Sequence, residues 1–204
     1  MMNTKDELRD LANEVIKYLN YLRTISSDKN FDNELYKILK ANTFLMLYNM
    51  VESTATSAFS EIYDAYGCFT FDDFIDEVKI IILKNVKLHN SIKLVEHLSK
   101  ISRDLAVNTF VKRDMFSGNI DAKLIRDTMH KYKISKRGDY KNDDLVTIKN
   151  KRNDLSHGVI SFAKCGGDYS LEDLRKYAAS VLIFLRRFLN DVSLYIDNMV
   201  YIKQ

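Results

Sequence analysis

Proline is absent from the 204 residues, and glycine occurs only six times. Average usage would put about ten prolines in a chain of this length. Without the strongest helix breaker, long uninterrupted helices are favoured. Cysteine is scarce too. Cys68 and Cys165 stand far apart and in no ligand spacing, which argues against a disulfide framework and fits a reduced, cytoplasmic protein. No HExxH pattern and no Cys–His cluster is present, and His89 and His97 have no carboxylate in a metal-ligand pattern, so no metal site is expected. Neither GxGxxG nor GxxxxGK occurs, so a nucleotide-hydrolysing fold is unsupported and no cofactor is expected. The longest uncharged run, Ala41–Val51, has 11 residues, too short to span a membrane. The opening MMNTKDELRD has no apolar stretch, so no secretory signal is expected. An excess of one charge is missing as well. The net charge of +3 permits contact with nucleic acid without demanding it.

What is present is apolar residue enough to bury a core, 46% of the chain against 29% charged, set at helical spacing. Thr4 and Glu7 form a capping-box pattern ahead of Leu8, Leu11, Val15, Leu19 and Leu22, predicting a helix over about residues 5–25. A second helix is predicted from Asp32 to Tyr66, with the stripe Leu45, Tyr48, Glu52, Ala55, Phe59 and Ile62. FTFDD opens a third helix capped by Asp72, and a further helical pattern covers about residues 92–111, stopped at Ser117–Asn119. Asp121 caps a short helix over about 122–133, and KRGD at 136–139 reads as a loop. NDDLVTIKNKRNDLSHG gives a helix over about 142–157, with Gly158 placed for a left-handed stop. After a loop at 159–170, Ser170 and Asp173 open the last helix, whose apolar positions run from Leu171 through Leu185 to Met199. With no repeats and no linker, residues 1–204 read as one all-α domain, a helical bundle of about six helices with long second and C-terminal helices. A last helix of that length packs on a bundle and is suited to extend into a partner.

Two charges stand where apolar residues belong. On the 142–157 helix Leu145, Ile148 and Leu155 leave one step to Arg152, and Glu52 does the same on the second helix. A buried unpaired charge costs several kcal/mol, so the two are expected to face each other or a shared cleft. His157 follows Arg152 by five residues, in the last helical turn, where the negative end of the helix favours a cation. A fixed guanidinium can hold a phosphate, and an imidazole can take or give a proton near neutral pH. Those are the groups needed for metal-free RNA cleavage by 2′-hydroxyl attack, and two copies across a dimer axis would supply two of each. The competing reading makes His157 only a helix cap.

KRNDLSHG (Lys151–Gly158) resembles the signature of the HEPN superfamily, an Arg and a His four to six residues apart, often with a polar residue after the Arg; Arg152, Asn153 and His157 match it. ANTFLMLYNMVES (Ala41–Ser53), SGNIDAKLIR (Ser117–Arg126) and RNDLSHGVISFAKCGGDYSLEDL (Arg152–Leu174) are similar to the stand-alone bacterial branch labelled MAE-like. The resemblance implies a metal-independent endoribonuclease, acting as a homodimer with paired motifs in one cleft and serving as a toxin or anti-phage effector. It implies Arg152 and His157 as the catalytic pair, Asn153 as the supporting polar residue, and Asn49 and Glu52 as second-helix candidates for orienting the pair. HEPN toxins controlled by nucleotidyltransferase antitoxins carry a tyrosine two residues after the histidine. Here that position is Val159, so regulation by modification there is not expected.

Lys131, Lys133, Lys136, Arg137, Lys141, Lys149 and Lys151 cluster ahead of the motif, with Tyr132 and Tyr140 between them. Lys136, Arg137, Lys149 and Lys151 are the candidates for RNA contact; the alternative is a solvated charged face, since Asp139, Asp143 and Asp144 interrupt the run. Arg126 and His130 lie four apart and read as a solvated pair. The alternative to a nuclease is a catalytically inactive helical module that binds a nucleotide, RNA or protein within a defence or toxin–antitoxin system. The expected partners are RNA, a second copy, and an antitoxin or defence protein.

Overall fold

The computed structural model describes residues 3–85, 116 and 118–203. Among them are seven α-helices and no strand, an all-α bundle. They are α1 (Thr4–Ser26), α2 (Asn33–Tyr66), α3 (Asp76–Asn85), α4 (Ala122–Lys131), α5 (Asp143–Ser156), α6 (Phe162–Gly167) and α7 (Leu171–Asp197). The helix expected over 92–111, and His89 and His97, lie outside the described residues.

The 34-residue α2 is the axis of the bundle, packed against α1, α5, α6 and α7. It buries residues on nearly every side, among them Phe44, Leu47, Tyr48, Val51, Phe59 and Ile62, as an interior helix does. The outer helices bury one stripe each. On α1 that stripe is Leu8, Ala12, Val15, Leu19, Leu22 and Ile25, at the three- and four-residue steps read from the sequence. On α7 it includes Leu174, Val181, Leu185, Phe188 and Val192.

Local chemistry sets the helix starts. Asp32, Asp121, Asn142 and Ser161 each accept from a backbone N–H of the first turn. Ser170 and Asp173 form the expected reciprocal capping box. The start of α1 differs. Asn3 is the cap, accepting from the Lys5 N–H, while the Thr4 N–H and hydroxyl both donate to Glu61 of α2. FTFDD also differs. Phe71–Asp73 is a single 3-10 turn closed by the Asp73 carboxylate on the Thr70 N–H and hydroxyl, and α3 begins only at Asp76.

Three helices end alike. The residue after the cap is left-handed, its N–H and that of the next residue bonding back to the last turn. These residues are Lys133 (φ 59°), Gly158 (φ 67°) and Met199 (φ 48°). The last one ends α7 at Asp197, so Met199 is not on the helical stripe and stands 54% exposed. Beyond it Tyr201 turns back among Tyr66, Phe69, Phe74 and Tyr195.

The segment 159–170, expected as a loop, contains α6. A Cβ added at Gly166 would lie 1.8 Å from the Lys37 carbonyl oxygen of α2. Backbone meets backbone there, and only glycine permits it.

Candidate functional site

α5 carries the motif. Leu145, Ile148 and Leu155 are buried at 2%, 1% and 5% exposure, and Arg152 takes the open step half-buried, as its place in the stripe requires. Its charged head is received by α2 and by the turn at 118–121. The guanidinium carbon lies 4.6 Å over the centre of the Tyr48 ring, close enough for a cation–π attraction. Nη1 donates to the Asn153 Oδ1 at 3.0 Å and, more weakly, to the Gly118 carbonyl at 3.4 Å. Nε and Nη2 make no hydrogen bond among the described residues.

The 118–121 turn is tied to α5 through Asn119 and Asp121 and to α2 through Ile120. Asn153 Nδ2 donates to the Asn119 Oδ1 at 3.0 Å, the Ile120 N–H donates to the Tyr48 hydroxyl at 3.2 Å, and Lys149 Nζ reaches the Asp121 carboxylate at 2.6 Å. Burial works against a charge on Asp121, yet the bonds from Lys149 and from the Leu124 N–H outweigh it and hold the carboxyl below its ordinary value. Tyr48 is shifted the other way. Burial raises its phenol, with the Ile120 N–H opposing; Glu52 raises it further and Arg152 lowers it.

Tyr48 therefore feels both Glu52 and Arg152, but no ion pair joins the two among the described residues. Glu52 is half-buried and Asn49 exposed, and neither hydrogen-bonds Arg152. His157 is the C-cap of α5, exposed to solvent, beside Val159 at 75% exposure. Five residues at 100° each set Arg152 and His157 about 140° apart around the helix. On an ideal helix the two therefore face different sides.

The basic candidates separate. Lys149 is held by Asp121, with only 20% of its side chain exposed. Lys151 lies over the Tyr169 ring, 5.7 Å from its centre. Lys136 is exposed, whereas Arg137 is anchored through its N–H and Nε to the buried Asp191 of α7. Both lie in the loop that leads into α5, a helix about 20 Å long at 1.5 Å per residue, with His157 at its far end. Tyr132 and Tyr140 are core residues, 4% and 1% exposed, so neither offers a face for a base to stack on. The Tyr132 hydroxyl meets that of Tyr63, and that of Tyr140 donates to Asp191. Arg126 bonds the Tyr140 carbonyl while His130 is exposed. Among the described residues no His, Cys, Asp or Glu cluster is placed to hold a metal ion, and no helix is long and apolar enough to cross a membrane.

Tyr48, Asn119 and Asp121 were not foreseen as site residues. Tyr48 stood in the apolar stripe beside Glu52, and the 117–119 stretch was read as a helix stop and as part of a block resembling the family, with no site role. Residues 4–201 match the MAE_28990-like HEPN family. No curated protein and no solved structure gives a significant match.

Proposed function

The chain belongs to the MAE_28990-like HEPN family, and from that premise we propose that it is a metal-independent endoribonuclease, acting as a homodimer in toxin–antitoxin or anti-phage defence. The observation that carries this reading is Arg152, fixed by three neighbours through its guanidinium face and Nη1 while Nε and Nη2 stay open to a ligand. An arginine presents its remaining N–H groups as a fork that suits a phosphate.

The reaction follows from these groups. The 2′-hydroxyl attacks the adjacent phosphorus, one His157 takes its proton, and a cyclic phosphate forms. The His157 of the second copy gives a proton to the departing 5′ oxygen, while Arg152 holds the charge on the non-bridging oxygens. The divergence of Arg152 and His157 around α5 favours pairing, since a second copy can bring its imidazole toward the first copy's guanidinium. The exposed Val159 beside His157 is an apolar surface of the kind a second copy would cover. Asn153 supports Arg152 directly. Glu52 and Asn49 act through the field at Tyr48 or through groups of the second copy.

The test compares wild type, Arg152→Ala and His157→Ala on total cellular RNA and on a labelled RNA oligonucleotide, with and without EDTA. Cleavage by wild type alone, unaffected by EDTA, is expected. Loss of cleavage with EDTA would make it a metal enzyme. Light scattering at micromolar concentration should give twice the 23.8 kDa chain mass. The place of His157 as the exposed C-cap of α5 favours a second reading, a phosphate-binding module without chemistry. That reading predicts RNA binding by wild type with no cleavage.

A further inference from the structure

The polar chain leading away from Arg152 has a direction that its chemistry dictates. A guanidinium only donates. The Asn153 atom 3.0 Å from Arg152 Nη1 is therefore its oxygen, Oδ1. The other end of that amide is the NH2 group, which donates, so the Asn119 atom that it meets at 3.0 Å is again an oxygen. The far end of the Asn119 side chain is then fixed as Nδ2, with hydrogens to give. Asn119 is exposed, and Nδ2 makes no hydrogen bond among the described residues. An amide at a surface can usually turn either end outward. Here the donor-only arginine removes that choice two residues away.

The backbone under Asn119 is held as firmly as the side chain. Its N–H bonds the Phe116 carbonyl, the next N–H bonds Tyr48, and Asp121 is clamped by Lys149. The turn thus presents an oriented N–H donor on the residue that follows Gly118, whose carbonyl Arg152 bonds.

We infer that Asn119 is a phosphate-binding residue of this site, its Nδ2 donating to a non-bridging oxygen of the RNA phosphate held by Arg152. The inference rests on the nuclease reading for the reaction, but only on phosphate binding for itself. A hydrogen bond to a charged oxygen is worth about 10- to 100-fold in binding, and more when the charge grows in the transition state.

Two substitutions separate ligand contact from mere support of Asn153. Asn119→Asp keeps an oxygen for Asn153 Nδ2 and turns a second, negative oxygen toward the phosphate. Asn119→Ala removes both ends. A supporting role predicts that Asp is the milder change; phosphate contact predicts that Asp is the worse. The readouts are kcat/KM on a labelled RNA oligonucleotide and, separately, affinity for the same oligonucleotide with 2′-O-methyl groups, which cannot be cleaved. With folding checked by thermal melts, Asn119→Ala should lower both by about tenfold and Asn119→Asp by more. Equal activity of all three proteins, or a milder Asp, overturns the inference. If wild type cleaves nothing, the nuclease reading fails and affinity for the 2′-O-methyl RNA decides alone. The same order upholds Asn119, whereas an unchanged affinity, or none in wild type, removes it.

Discussion

Arg152 rests on the ring of Tyr48, 4.6 Å from its centre, and the hydroxyl of the same ring accepts from the Ile120 N–H, 3.2 Å away. One side chain of α2 thus supports the guanidinium and pins the turn that bonds it. Tyr48→Phe keeps the ring and strips the buried Ile120 N–H of its acceptor, which should lower stability by about 1–3 kcal/mol while RNA cleavage falls only a few-fold. Tyr48→Leu removes the cation–π face and should lose cleavage well beyond its loss of stability. Urea unfolding beside initial cleavage rates checks both; a fully active Tyr48→Leu would show that the ring does not hold Arg152.

Gly166 should tolerate no side chain. A Cβ there would meet the Lys37 carbonyl oxygen at 1.8 Å and the Ala41 nitrogen at 3.1 Å, and backbone cannot rotate aside as a side chain can. Gly166→Ala has to push α6 off α2, and the loss should reach or exceed the roughly 1–3 kcal/mol of ordinary overpacking. Gly167→Ala, whose added Cβ meets only the Lys37 side chain at 3.8 Å, should cost far less. Comparable melting temperatures for the two variants would contradict the close contact.

Asp121 predicts a pH dependence. Its carboxyl is held below the ordinary value in the folded protein, so its contribution is fully present above the unfolded value of about 3.9 and is lost as pH falls through the folded one. Asp121→Asn should therefore be less stable than wild type at pH 7, with a gap that narrows below about pH 4. Urea midpoints at pH 7, 5 and 3 test this, and a gap constant across that range would mean that the ion pair with Lys149 contributes nothing.

The helices with one buried stripe were legible, because α1 and α7 repeat their apolar residues at three- and four-residue steps. Arg152 was legible for the same reason, as the charge that broke such a stripe on α5. Tyr48 was not. A tyrosine in an apolar stripe looks like core, and at 1% exposure it is core; only the fold brings the 118–121 turn and Arg152 onto it. The partners of Lys149 and Arg137 were hidden likewise, since Asp121 and Asp191 lie 28 and 54 residues away along the chain. α6 escaped because six residues ending in two glycines have too little helical signal of their own. Packing against α2 holds them.

The helix ends make the same point and give a measurable consequence. The left-handed residue ending α5 is Gly158 and was readable, whereas the same position after α7 holds Met199, which carries no such signal. An L-residue there costs about 1–2 kcal/mol relative to its relaxed backbone, and glycine avoids this at a smaller cost in unfolded-state entropy. Met199 is 54% exposed, so its side chain contributes little that would be lost. Met199→Gly should therefore stabilise the protein by about 0.5–1 kcal/mol. The reciprocal change is Gly158→Ala. An added Cβ there meets nothing within 4 Å, so any effect reports backbone conformation alone, and it should destabilise by about 1 kcal/mol. Opposite shifts in the urea midpoint, with unchanged slope, are expected for the two variants. A shift of the same sign in both would mean that side-chain contacts, not the left-handed backbone, govern how these helices end.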